Sequence, residues 1–303
     1  MIRNPFKFFI GNPVVLKELR GRMRGPRAFI VLTGYLTLVG GFSILLYLGM
    51  TRVSMVSTDQ VDGGEIGKLL FTGVVWIELF LVTFIAPAFT ASAISGERER
   101  QTYDLLRTTL LPAGNLVIGK LFSALAYIFL LLLSAIPLQS LSFILGGTDI
   151  PDMAIAILTL TVTSILLGAI GVYFSARLRR TLPASIATYG FALGLVVGTA
   201  ILLTIFVALT NSLMDDNAID PNVHWAILLI TGALVCINPV ATLQVTNDYL
   251  VSQQNPWTFE YTFASGATTT LPSPWLVFTG TYLLISAFFF ILTIRHIKQV
   301  DEF

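Results

Sequence analysis

The stretch AGNLVIGKLF puts Gly114, Gly119 and Lys120 at the glycine and lysine positions of G-x-x-x-x-G-K-[ST], the loop whose backbone N–H groups cradle nucleotide phosphates. The next residue is Leu121, which has no hydroxyl to hold Mg²⁺, and Leu116, Val117 and Ile118 stand where such a loop needs small residues. The chain is therefore not expected to bind ATP through this lysine. The single cysteine, Cys236, lies in an apolar run, and His224 and His296 are far apart, so no disulfide framework or metal set is expected. No H-E-x-x-H, G-x-S-x-G or paired intramembrane aspartates are present, which leaves a protease or hydrolase reading without residues. Catalytic residues: none are assigned. One ionisable residue lies well inside an apolar run: Glu78, in VVWIELFLV. A charge at that depth costs at least ~2.5 kcal/mol on insertion scales. Glu78 either lines a path or makes a polar helix contact, or else it sits shallow or protonated.

The elements that must position these residues follow from composition. Hydrophobic residues make up 55% of the chain and charged residues only 12%, about half the charge of a soluble domain. Mean hydropathy is +0.81. Crossing ~30 Å of hydrocarbon takes about 20 helical residues, and runs of that length occur at 28–50, 69–94, 116–145, 153–176, 183–209 and 274–294. A shorter run, 225–237, ends at Asn238-Pro239 and is read either as a re-entrant segment or as a seventh crossing. The apolar N-terminal stretch around Phe8 to Ile10 is too short for a signal peptide and no cleavage site follows it, so no processing is expected. No internal repeat is evident, which weakens a reading built on duplicated halves.

Sorting charges by loop orients the chain. Arg3 to Arg27, Arg98 to Lys120, Arg177 to Arg180, and Arg295 with Lys298 hold every basic residue except Arg52 and Lys68, and these groups lie on alternating loops. The other loops carry Asp59, Asp62, Glu65, Asp149, Asp152, Asp215, Asp216 and Asp220. Lysine and arginine bias sets orientation, so both termini are expected in the cytoplasm. Between 211 and 273 there are acidic residues and no basic one, which suits a segment that dips in and returns on the outer side. Six crossings are favoured over seven.

Two cytoplasmic stretches are amphipathic. In GNPVVLKELRGRMRGPRAF, Val15, Leu16, Leu19 and Met23 share a helical face while Lys17, Arg20 and Arg24 fall elsewhere, the pattern of a helix lying in the lipid interface. In SAISGERERQTYDLLRTTLLPAGNLVIGKLF, Ser95 stands at an N-cap position, Glu97 and Glu99 fall in the first turn, and Pro112 with Gly114 ends the element. Tyr103, Leu106 and Leu110 form an apolar ridge, surrounded by Arg98, Arg100, Asp104 and Arg107. The alternative is a surface helix lying flat on lipid. Farther on, Gly190, Gly194 and Gly198 recur every fourth residue on one face of the fifth crossing, spacing that lets two helices approach closely or that arises by chance.

The stretch ISGERERQTYDLLRTTLLPAGNLVIGK (94–120) resembles the S-G-E-R-E-x-G-T-x-[ED]-x-L-L…P…G-K signature of ABC-2 type transporter permease subunits, and NPVVLKELRGRMRG ahead of the first crossing is similar to theirs. Gln101 stands where glycine is usual, and Leu111 where threonine or serine often precedes the proline. The resemblance implies an all-α polytopic membrane protein with six transmembrane helices, organised as a cytoplasmic N-terminus (1–27) with an elbow helix, a transmembrane domain (28–294) and a tail (295–303). It implies a coupling helix over 96–111 that docks on a separate ABC ATP-binding subunit through Glu97, Arg98, Glu99, Arg100, Tyr103, Leu106 and Arg107. Lys120 would then begin the third crossing, its ammonium snorkelling to lipid headgroups. ATP and Mg²⁺ would be bound by the partner, so no cofactor and no enzyme activity are expected in this chain. A second permease copy or a paralogue would pack on the glycine face, in the cell membrane, and nucleic acid is not an expected partner. The reading from another class is a membrane scaffold that recruits or regulates a cytoplasmic ATPase without moving a substrate.

Overall fold

The computed structural model describes residue 21 and residues 26–56, 63–103, 113–214, 221–253, 255–262 and 268–301. The elbow residues Val15, Leu16, Leu19 and Met23, and Leu106 and Arg107 of the signature, lie outside the described residues. Helix α1 (Pro26–Val56) opens on a proline, whose missing N–H costs nothing in a first helical turn. It buries Tyr35 and Val39 and leaves Phe29, Ile30, Ile44 and Leu45 exposed, so a single stripe meets the rest of the chain. Helix α2 (Gly63–Thr90) is apolar on most sides and buries Leu70, Phe71, Val74, Val75, Glu78, Leu79, Val82 and Ala86. At 28 residues it spans about 42 Å at 1.5 Å per residue, long enough to cross the hydrocarbon with turns to spare.

Three further elements surround the signature. A short helix, α3 (Ser95–Glu99), follows α2 after a few residues of turn; α4 (Ala113–Ile144) and α5 (Ile150–Arg177) then run the length of the bundle away from α3 and back. Helix α5 is the central one, with 78% of its most apolar window buried inside the chain. It starts with Pro151 in its first turn and with the Asp149 N–H donating to the Asp152 carboxylate at 3.0 Å. Near the C-terminal end of α5, Gly171 lets Thr90 of α2 press against the backbone: a Cβ there would collide with the Thr90 hydroxyl. Leu79, Val82, Ala86, Ile128, Leu132, Leu160 and Leu167 make the apolar core shared by α2, α4 and α5.

The fifth crossing is a composite: α6 (Thr181–Leu193), a π-helical turn (Gly194–Gly198) and α7 (Thr199–Met214). It is also the most exposed crossing, with 6% of its apolar window buried. Next come α8 (Pro221–Ile237) and α9 (Pro239–Gln253), bent by 113° at Asn238. Asn238 fits that break as an N-cap, its Oδ1 accepting the Ala241 N–H at 2.9 Å, with Pro239 in the N1 position behind it. The Asn238 side-chain amide donates to the Val196 carbonyl and to the Thr199 hydroxyl, each at 2.8 Å. Val196 lies about halfway along the 31-residue stretch Thr181–Asn211, so the bend between α8 and α9 reaches the middle of the fifth crossing.

Strands β1 (Thr258–Thr262) and β2 (Thr268–Pro272) pair antiparallel as a small β-hairpin, Glu260 opposite Thr270, and are the two strands among the described residues. This hairpin decides the topology. His224, near the start of α8, lies 3.4 Å from the Tyr261 hydroxyl, and Tyr249, near the end of α9, stacks on Phe259 with ring centroids 4.1 Å apart. Both open ends of the α8–α9 pair therefore meet β1, so the segment enters and leaves on one face as a re-entrant hairpin. Among the described residues, six helices are long and apolar enough to cross, the last being α10 (Pro274–Asp301). An even number of crossings places Pro26 and Asp301 on the same side.

Candidate functional site

At one end of the bundle the chain leaves α2 and enters α3, and the first peptide N–H groups of α3 have no partner within their own helix. Ser175 of α5 supplies it: its hydroxyl accepts from the Ile94 N–H at 2.9 Å and the Ser95 N–H at 3.0 Å. The sequence pattern points to Ser95 as the cap, but the Ser95 hydroxyl instead donates back to the Ala91 carbonyl at 3.1 Å. The cap comes from another crossing because α2 runs almost straight into α3, which leaves Ser95 in helical geometry.

The far end of α3 accounts for the signature's spacing. Gln101 adopts φ 57°, the one non-glycine positive φ among the described residues. The Gln101 N–H donates to the Arg98 carbonyl at 3.1 Å and the Thr102 N–H to the Glu97 carbonyl at 3.0 Å. That pair of bonds with a left-handed residue between them is a Schellman helix end. The position where the resembling family usually carries glycine is thus the left-handed one, and this chain fills it with glutamine. The continuous helix expected over 96–111 is interrupted here: α3 ends at Glu99 and the chain turns through Gln101 before Tyr103. Sequence periodicity passes over the break because it registers side chains and not φ.

Among the described residues, both acidic residues of the signature, Glu97 and Glu99, have partners in this chain. The Lys120 ammonium of α4 donates to Glu97 Oε1 at 2.7 Å with its side chain only 5% exposed, so it is buried in an ion pair and does not snorkel to headgroups. The Thr102 hydroxyl donates to Glu97 Oε2 at 2.8 Å, which ties the same carboxylate to the turn. Glu99 accepts from the N–H and the hydroxyl of Thr181, the first residue of α6, at 2.8 and 2.9 Å. Arg98 donates to the Ala176 carbonyl of α5 at 2.8 Å and lies 4.9 Å over the ring of Tyr103. Arg100 is exposed.

Tyr103 departs from expectation most clearly. It is not an exposed ridge: it is 7% exposed and packs in one cluster with Ile94, Leu116, Val117, Val172, Ala176 and Ile297. An apolar face at helical spacing identifies a buried face, but not which body buries it. The structure therefore brings together Glu97, Arg98, Glu99 and Tyr103, and adds four residues that sequence reasoning missed as a set: Lys120, Ser175, Ala176 and Thr181. Lys120 carried a usable signal, since a lone lysine among apolar residues wants a counter-charge.

The other candidates lie elsewhere. Glu78 is fully buried midway along α2, and its Oε2 accepts from the side-chain amide of Gln139 on α4 at 2.8 Å. Gly190, Gly194 and Gly198 sit on the outside of the fifth crossing, and a Cβ at any of them would meet nothing within 4 Å among the described residues. No group of three or more metal-ligating side chains occurs among the described residues.

No curated protein matches the chain. Residues 13–295, which take in the six crossings and the turn around α3, match the family described as ABC-2 family transporter protein, and the chain is a member of that family, a multi-pass permease component of the membrane.

Proposed function

We propose that this chain is the transmembrane subunit of an ABC-2 exporter, in which a separate ATPase subunit docks at the α3 turn and ATP hydrolysis there drives substrate across the membrane. The observation that carries this reading is the wiring of α3. Within a few residues the turn is bonded to α4 through Glu97–Lys120, to α5 through Ser175 and Ala176, and to α6 through Glu99–Thr181. A push on that turn is delivered to three crossings at once. Glu99, Arg100 and Gln101 are exposed there and form the part of the turn that a partner can touch, while Glu97, Arg98 and Tyr103 hold the turn in place. The basic loops, α3 included, and both termini face the cytoplasm of the cell, where ATP is found. The chain itself binds neither ATP nor Mg²⁺ and catalyses no reaction.

The test is co-purification of the permease with its ATPase from membranes, together with ATP hydrolysis by the complex in lipid. Glu99→Lys with Arg100→Glu reverses the exposed charges and is expected to lower both recovery of the ATPase and its hydrolysis rate at least several-fold. Full recovery and unchanged hydrolysis in that variant would remove the docking assignment. An ATPase that binds but whose rate never responds to any candidate substrate would favour a scaffold.

A further inference from the structure

Glu78 and Gln139 form an incomplete pair at mid-membrane depth. Glu78 is the sixteenth of 28 residues in α2 and is 0% exposed; Gln139 is 1% exposed. Helical side chains lean toward the N-terminus of their helix, and α2 and α4 run in opposite directions, so the two side chains reach toward each other. The amide N–H of Gln139 donates to Glu78 Oε2 at 2.8 Å. The remaining oxygens, Glu78 Oε1 and Gln139 Oε1, are both buried and have no hydrogen-bond partner among the described residues. Glu78 makes no ion pair with any described residue.

Two buried acceptors on one hydrogen-bonded pair of side chains, neither of them receiving a donor, lack one hydrogen. A carboxylic acid and a primary amide close a ring of two hydrogen bonds: the amide N–H donates to one acid oxygen, and the acid O–H donates to the amide oxygen. A single proton on Glu78 Oε1 supplies the missing donor and satisfies both orphaned oxygens. Exchanging the amide nitrogen and oxygen of Gln139 leaves the same ring with the proton on the other carboxyl oxygen. An ionised Glu78 would instead keep a full charge out of water with one neutral donor to stabilise it, an arrangement that buried polar groups avoid.

We infer that Glu78 and Gln139 are a proton-binding site in the middle of the membrane, in which one bound proton completes an acid–amide clasp between α2 and α4. The clasp acts on the same two helices as the Glu97–Lys120 pair, which joins the α2–α3 end to α4. The two helices are then held at mid-depth by a neutral pair and at the inner end by a charged one. The other titratable side chain facing this place is Tyr35 of α1, whose buried hydroxyl is also without a partner; it packs in the cluster with Val74 and Ala135, one turn before Glu78 and Gln139 respectively.

The experiment is infrared difference spectroscopy on the full-length permease in lipid at neutral pH, with thermal unfolding of the same samples. The expected spectrum contains the carbonyl band of an un-ionised carboxylic acid that moves in heavy water, disappears in Glu78→Gln and shifts in Gln139→Leu. Glu78→Gln replaces the ring with an amide–amide pair, so its unfolding midpoint is expected to stay near wild type, while Gln139→Leu lowers it. Tyr35→Phe is expected to keep the band. Absence of the band from wild type, or a Glu78→Gln protein less stable than Gln139→Leu, overturns the inference. So does an unfolding midpoint that rises with sodium or potassium and loses that dependence in Tyr35→Phe, since a metal cation and not a proton would then be the bound species.

Discussion

At the scale of single residues, the α3 turn combines one costly backbone choice with one buried ion pair. A non-glycine residue in the left-handed region costs roughly 1–2 kcal/mol, and Gln101 at φ 57° bears that cost. Gln101→Gly is expected to stabilise the permease by up to about 1 kcal/mol, the gain being trimmed by the greater freedom of glycine in the unfolded chain. Gln101→Val, branched at Cβ, is expected to destabilise it, and thermal unfolding in detergent would rank the three. A β-branched variant as stable as the glycine variant would mean that the turn does not hold its left-handed residue in solution. The ion pair follows another rule: removing one partner strands the other, and Lys120 is the more deeply buried of the two. Lys120→Met should therefore cost about 2 kcal/mol, the scale of a hydrogen bond to a charged group. Adding Glu97→Gln should recover part of that loss. A double-mutant cycle measures the coupling, and simple additivity of the two changes would show the pair to be energetically idle.

At the scale of elements, much was legible and the rest failed for identifiable reasons. The crossings announce themselves because an apolar run near 20 residues has few other uses, and Asn238-Pro239 marked the break between α8 and α9 in the sequence. Whether that pair crosses or returns depends on where its ends meet other parts of the chain, through His224–Tyr261 and Tyr249–Phe259, which no local pattern encodes. TFEYT and TTTLP carry the β-branched and aromatic residues of short strands, but five residues each are too few for alternation alone to distinguish a hairpin from a loop. Ser95 falls inside α3 and not at its cap, and Tyr103 falls beyond the end of α3, since the cap is supplied by Ser175, 80 positions away, and the core around Tyr103 by residues from Ile94 to Ile297. The re-entrant reading carries its own expectation. In a cysteine-free background, Glu260→Cys on β1 should react with an impermeant thiol reagent from outside, and Arg179→Cys and Gln299→Cys only after the membrane is opened. Labelling of Gln299→Cys from outside would turn the α8–α9 pair into a seventh crossing.

For the whole molecule, burial is distributed so unevenly that the chain has an inside and an unfinished outside. The most apolar window of α5 is 78% buried, while those of α1 and of the fifth crossing are 11% and 6% buried. Lipid can cover such surfaces, because apolar side chains are at home in hydrocarbon; what lipid does not explain is why one of them is stripped to glycine. Gly190, Gly194 and Gly198 leave a shallow strip on the fifth crossing with open space in front of each, and the π-helical turn at Gly194–Gly198 keeps the last two near one face as the helix widens. In membranes, helices associate through close backbone approach at small residues, not through a hydrophobic drive. Gly194→Leu should therefore weaken self-association of the permease while leaving its insertion and the α3 turn intact, because the strip and the turn share no contact. Disulfide cross-linking between Val197→Cys protomers, an exposed position beside the strip, reads the association directly. A several-fold drop in cross-linked dimer is expected when Gly194→Leu is added, with unchanged monomer yield in the membrane fraction. Undiminished cross-linking in the leucine variant would assign the glycine strip to lipid and move the search for the dimer contact to the exposed face of α1.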